Sequence, residues 1–107
     1  MNAIHLIERI NNFKRINPNA YEYDSYAWHV NKDTAEKLVG GKIYFHKAQK
    51  QPSFFGGTIL SYRVLEEGAD AGRVVFRFQV SKDCRDVMTD KSGWTYEKKI
   101  TLGDNYA

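Results

Sequence analysis

The sequence predicts a mainly β, α+β fold: a small, partly closed β-barrel with an N-terminal helix and one or two short helices. Three observations lead there. The chain has 107 residues, a single-domain length with room for one continuous core. Its apolar residues recur at the two-residue period of strands in several segments. Those segments follow one another through short polar or glycine-bearing connections, without the crossover helices that a parallel α/β sheet needs. Consecutive antiparallel strands expose sheet edges, and curling into a barrel reduces that exposure. The expected organisation is one domain over 1–107, with the N-terminal helix in 1–17 and the barrel core in 20–102.

The elements follow in order. Ile4, Ile7, Ile10 and Phe13, with Ala3 and Leu6, recur at helical spacing and predict a helix from 3 to about 14. Asn17 before Pro18 is its expected stop, because a residue preceding proline is pushed out of the helical region. In "YEYDSYAWHV", Tyr26, Trp28 and Val30 alternate with Ala27 and His29, a strand pattern. "NKDTAEKLVGG" reads as a short helix capped by Asp33, with Glu36 as its capping-box partner and Gly40 at its end. "KIYFHK" (42–47) is a strand with Ile43 and Phe45 on one face and Tyr44 and His46 on the other. "TILSYRVL" (58–65) groups Leu60, Tyr62 and Val64. "RVVFRFQV" (73–80) sets Val74, Phe76, Phe78 and Val80 against Arg73, Arg77 and Gln79. "SKDCRDVM" suits a helical turn capped by Ser81, and "WTYEKKITL" (94–102) a last strand with Trp94 and Tyr96 on one face.

Composition narrows the function classes. Hydrophobic residues make up 42% and aromatics 14% of the chain, far from the composition of a disordered segment. A net charge of +3 is compatible with a polyanion partner without demanding one. The single Cys84 rules out an internal disulfide. No apolar run approaches the roughly 20 residues that span a bilayer, and "MNAIHLIERINNFKR" lacks the features of a signal peptide. The expectation is a cytoplasmic protein with no membrane partner.

Catalytic motifs are sparse. One cysteine and three scattered histidines (His5, His29, His46) fit no structural zinc pattern, so no metal or cofactor is expected. Cys84 reads as a small residue at the edge of the core, although Lys82 and Arg85 flank it. Glu66, Glu67 and Asp70 fall in a predicted turn, where carboxylates are normally solvated. The Gly-Gly pairs at 40–41 and 56–57 lack P-loop spacing. No catalytic residue is assigned.

Binding residues are more visible. "HKAQKQPSFFGG" (46–57) sets adjacent phenylalanines before two glycines, in what reads as a loop joining two strands. Neighbouring residues of an extended segment point opposite ways, so one of Phe54 and Phe55 is expected to plug the barrel and the other to border a cavity beside Trp28. Arg73 and Arg77 share a strand face, Arg63 is expected to lie across from them, and Lys47 and Lys50 extend the basic patch. Such a cluster suits phosphate. The competing reading pairs these arginines with Glu66, Asp70 and Glu97 on a wet outer face.

A strand with a tryptophan, a short helix, "GGKIYFHK", a loop and "GGTILSYRV" form an order that resembles the PUA-like barrels, especially their EVE and ASCH groups, over roughly residues 26–80. The resemblance implies a nucleobase, often a modified one, held at one end of the barrel. It implies ligand-binding roles for Trp28, Tyr44, His46, Ser53, Phe54 and Phe55, and a phosphate rim of Lys47, Lys50, Arg63, Arg73 and Arg77. The ASCH motif G-x-K-x-x-E-x-R is absent, which weakens the hydrolase branch. The expected function is non-enzymatic binding of a nucleobase or nucleotide, free or within DNA or RNA, by aromatic stacking and a basic rim. The alternatives are a protein-interaction or phage-type regulatory module, and a small ASCH-like hydrolase of a modified nucleoside.

Overall fold

The structure, a computed structural model, describes residues 2–17 and 19–103. The described residues are mainly β: they form one seven-stranded sheet, one α-helix and one 3-10 turn. The strands are β1 (Ala3–Ile7), β2 (Phe13–Asn17), β3 (Glu22–Trp28), β4 (Lys42–His46), β5 (Ser53–Val64), β6 (Val74–Val80) and β7 (Lys98–Thr101). Helix α1 (Lys32–Leu38) lies between β3 and β4, and the 3-10 turn spans Lys82–Cys84. The sheet order is β2-β3-β6-β5-β4-β1-β7. All neighbours are antiparallel except β1 and β4, which run parallel.

The predicted N-terminal helix is two strands. Ile4, His5, Leu6 and Ile7 are all buried, as suits a strand between β4 and β7 with both faces covered. Ile10, counted in the helical stripe, is instead exposed. Asn11 takes the left-handed conformation (φ 53°) in the turn towards β2. The apolar spacing of this segment is thus a coincidence of two short strands. Pro18, read as a helix stop, lies outside the described residues, as do Met1 and residues 104–107.

The sheet is strongly curled but not closed. β1 and β2 lie five inter-strand steps apart in the sheet, roughly 24 Å if it were flat. Only residues 8–12 join them, and that length of chain reaches at most roughly 20–22 Å. Curling solves the mismatch. It carries Phe13 of β2 to within 4.8 Å of Phe45 on β4, ring centroid to centroid.

The core fills the concave side. Phe45, Phe76 and Phe78 are fully buried with Ile4, Leu6, Ile43, Ile59 and Val74, while Ala35 and Leu38 of α1 add a lid. Phe54 and Phe55 belong to β5 rather than to a loop, and both pack on this core. The Gly56-Gly57 pair serves close approach within the strand: a Cβ on Gly57 would lie 1.9 Å from the Gln79 carbonyl oxygen.

Other local expectations shift by a residue or a turn. Asn31, not Asp33, caps α1, its side chain accepting from the Thr34 N–H at 2.8 Å. Gly40 has the predicted left-handed φ of 87°. Ser81 makes no side-chain cap. A register shift between Ser25 and Trp28 breaks the alternation expected of β3. The last strand begins at Lys98, so Trp94 and Tyr96 lie before it and diverge: Trp94 is half-buried, whereas Tyr96 is exposed. No helix among the described residues is long and apolar enough to cross a membrane.

Candidate functional site

The sequence-predicted residues divide into a buried group, a basic patch and a group at a cleft, with Arg73 common to the last two. His46 and Tyr44 project from β4 onto the sheet face opposite the core. Tyr44 stacks on His5 with centroids 4.5 Å apart. His46 Nδ1 lies 2.8 Å from the Gln51 carbonyl oxygen, and His46 Nε2 lies 2.9 Å from His5 Nδ1. A carbonyl can only accept, so Nδ1 of His46 carries the proton, and its Nε2 must accept from His5 Nδ1–H. Trp94 covers both rings edge-on. Burial, the neighbouring His46 ring and Lys99 push the His5 pKa down to about 4. Burial also lowers that of His46, against the bond to Gln51. Ser53 is buried as well, its Oγ donating to the Cys84 carbonyl (2.6 Å) and accepting from the Val87 N–H (3.0 Å). These residues tie the 81–97 segment onto the sheet.

A second group is the basic patch. Asp24 on β3 faces Arg77 on β6, and Arg63 reaches across from β5. Arg77 donates to both Asp24 oxygens (2.9 and 3.2 Å), and Arg63 donates to Asp24 Oδ2 (2.8 Å) and to the Tyr26 hydroxyl. Burial raises the Asp24 pKa, but the bonds and charges of Arg77 and Arg63 outweigh it and hold the carboxyl below its usual range. Asp24, which the sequence reading did not name, is thus the anchor of this pair. Arg73 sits 3.6 Å from Asp70. Lys47 lies 4.2 Å from the Phe54 ring centroid and donates to Asn11, and Lys50 is exposed.

The third group opens to solvent. Trp28 lines a cleft of about 540 Å³ together with Arg9, Arg73, Tyr96, Glu97 and Lys98. A second cleft of about 360 Å³ adjoins it and shares Trp28, Arg9, Ala27, Arg73 and Glu97. It adds Glu8, Asn12, Tyr26 and Asp70. The groove is built where the end of β1, the end of β3 and the turn before β7 converge. Asn12 donates to the Tyr26 carbonyl (3.3 Å) and the Ile7 N–H donates to the Glu97 carbonyl (2.8 Å). Arg9 and Glu97 approach to 3.8 Å across the rim, and Lys98 Nζ donates to the His29 carbonyl. Trp28 is held by its indole N–H, which donates to Ser25 Oγ at 2.9 Å. Tyr96 is 89% exposed at the tip of the 95–98 turn, in a left-handed conformation (φ 54°) that most side chains avoid.

Neither Phe54 nor Phe55 lines this groove. Of the predicted site residues it gathers Trp28 and Arg73, and it adds Arg9, Tyr96, Lys98 and Glu8. A usable signal for Tyr96 existed in the polar "DKSGWTYEKK" (90–99), where an aromatic in a turn-like context is free to face outward. Among the described residues no three His, Cys, Asp or Glu side chains are grouped to hold a metal ion. Cys84 is buried, its thiol 3.7 Å from the Gly57 carbonyl oxygen, and burial raises its pKa. That setting is the reverse of the one that activates a thiolate.

No family model, curated protein or solved structure matches this chain.

Proposed function

We propose that the chain is a PUA-like module that binds a nucleotide, free or as one unit of DNA or RNA, in the groove beside Trp28, without chemical turnover. The observation that carries this reading is the lining of the larger cleft. An exposed tyrosine and a fixed tryptophan stand among Arg9, Arg73 and Lys98, with Glu97 as the one carboxylate. Planar rings and an excess of cations suit a base and a phosphate respectively. The cleft volume of about 540 Å³ falls within the range that encloses small ligands. In this reading Tyr96 stacks, Trp28 forms the floor, and Arg73 and Lys98 meet the phosphate. The order of strand, helix and glycine-led strands that resembles the EVE and ASCH groups supports the same class of ligand; in this reading the ligand sits at the end of β3 rather than at the 46–57 stretch that the resemblance implied.

The test is a titration of nucleoside monophosphates and short oligonucleotides, read by tryptophan fluorescence at low and high salt. Binding should weaken as salt rises, and Arg73→Ala and Tyr96→Ala should each reduce affinity. Absence of binding across the panel at low salt overturns the proposal.

A further inference from the structure

The two clefts adjoin, and Arg9 and Arg73 line both of them, so both cations stand where the clefts meet. Their guanidiniums are only loosely held. Glu97 lies 3.8 Å from Arg9 and Asp70 lies 3.6 Å from Arg73, both beyond hydrogen-bond length. Exposed ion pairs of that kind contribute little. Arg63 and Arg77 differ, because the buried Asp24 engages each of them at 2.8–2.9 Å. On either side of the junction the walls diverge. One cleft has Tyr96 and Lys98 to itself. The other has Tyr26 and Ile10, with Ile10 79% exposed. This second cleft adds no cation to the shared pair, and its own charged residues are Asp70 and the buried Glu8.

We infer that the groove takes two consecutive nucleotides of a single strand, with the phosphodiester between them held at Arg9 and Arg73. This rests on the nucleotide reading above and specifies its ligand. A guanidinium offers a fork of N–H donors that matches phosphate oxygens, and a phosphate at the junction competes only with weakly paired carboxylates. One base then reaches Tyr96 and its neighbour reaches Tyr26 and Ile10, each ring or aliphatic side chain covering part of a base. The second cleft suits an uncharged base, whereas a second phosphate beside Asp70 would be repelled. Lys98, confined to the first cleft, is placed for the next phosphate of the strand. A free mononucleotide fills one cleft and leaves the other empty. Bases held in separate clefts must also be unpaired, which favours a single strand over a duplex.

Calorimetric titration of the full chain at low salt tests the assignment, with TpT and UpU each compared with its own monophosphate, TMP or UMP. At least one dinucleoside monophosphate should bind roughly 10- to 100-fold more tightly than its monophosphate, the worth of a second stacked base. Charge alone predicts the opposite order, because the monophosphate is the more negative ligand. A methylphosphonate linkage, which removes the charge of the bridging phosphate, should abolish the gain. Arg9→Ala should bring the dinucleotide down towards the monophosphate, and thermal melting verifies that the variant folds. A thymidine oligonucleotide should bind more tightly alone than annealed to its complement. Several results overturn the two-nucleotide site and leave nucleotide binding standing: monophosphates at least as tight as both dinucleotides, full affinity for the methylphosphonate, an unchanged ratio in folded Arg9→Ala, or a duplex that binds as well as the strand. If Arg9→Ala fails to fold, the wild-type comparisons decide alone. Binding of none of these ligands removes both readings.

Discussion

The rings of Phe13, Phe45, Phe55 and Phe78 meet one another at centroid distances of 4.8 to 6.3 Å inside the curl of the sheet. Trp28 and Tyr96 instead border a groove open to solvent. Both groups are aromatic, yet the first is surrounded by Ile4, Leu6, Ile43 and Ile59, and the second by charged side chains. Ring content alone therefore does not tell a sealed core from an open groove in this fold. What sets the groove apart is an aromatic side chain left beside cations.

The sealed rings should carry the largest effect on stability. Phe78→Ala should lower the free energy of unfolding by about 3–5 kcal/mol, since it removes transfer energy and leaves a cavity. A urea melt measures this, and a loss under about 1 kcal/mol would mean that the rings are not the core. Acid should act next. Unfolded histidine titrates near 6.5, while folded His5 is held at about 4 and His46 is lowered too. Between these values the unfolded chain binds protons that the folded chain refuses, so stability must fall as pH drops from about 6.5 to about 4 and then level off with respect to His5. The expected loss is on the order of 3 kcal/mol, and His5→Phe should flatten that part of a stability–pH profile. A flat profile in the parent chain would contradict the buried pair.

Asp24→Ala is expected to be milder, about 2 kcal/mol by urea melt. The carboxylate is buried, but Arg63 and Arg77 can turn to water once it is gone. The smallest effect on stability belongs to the groove. Tyr96→Ala should change stability by no more than about 0.5 kcal/mol and yet weaken nucleotide binding by roughly 1–3 kcal/mol, the worth of one stacked base. If Tyr96→Ala destabilised the fold as Phe78→Ala does, the distinction between sealed and open rings would collapse.

How far the sequence spoke for itself depended on the interaction involved. Strands β4 and β6 were legible from alternation, because Ile43, Phe45, Val74, Phe76 and Phe78 repeat the pleat. β1 was not, since a strand covered on both faces loses its alternation, and four consecutive buried residues fit a helical stripe equally well. The mainly β class survived the error because the remaining strands carried it. The site was read less well. Trp28 and Arg73 were named and do share the groove, but Phe54 and Phe55 looked like loop residues only because the start of β5 was set at Thr58 instead of Ser53. Glu8 lies in the segment that reads as a helix from 3 to about 14 and is not singled out there. Its burial depends on chain segments meeting across the sheet, a relation that no local pattern expresses. Asp24 illustrates the same limit: its two arginine partners lie 39 and 53 residues away.

The parallel pairing of β1 has a further consequence for how this chain reaches its native state. Ala3 is matched to Lys42 on one side and to Thr101 on the other. β1 therefore has no lateral partner until β4 has been made, and its second flank stays open until β7 follows. Contacts of such large sequence separation demand extensive loop closure before they reward it, and chains rich in them fold on the slower, millisecond-to-second scale. Folding is thus expected to lag behind translation, with "AIHLI" the stretch most in need of shielding while it waits.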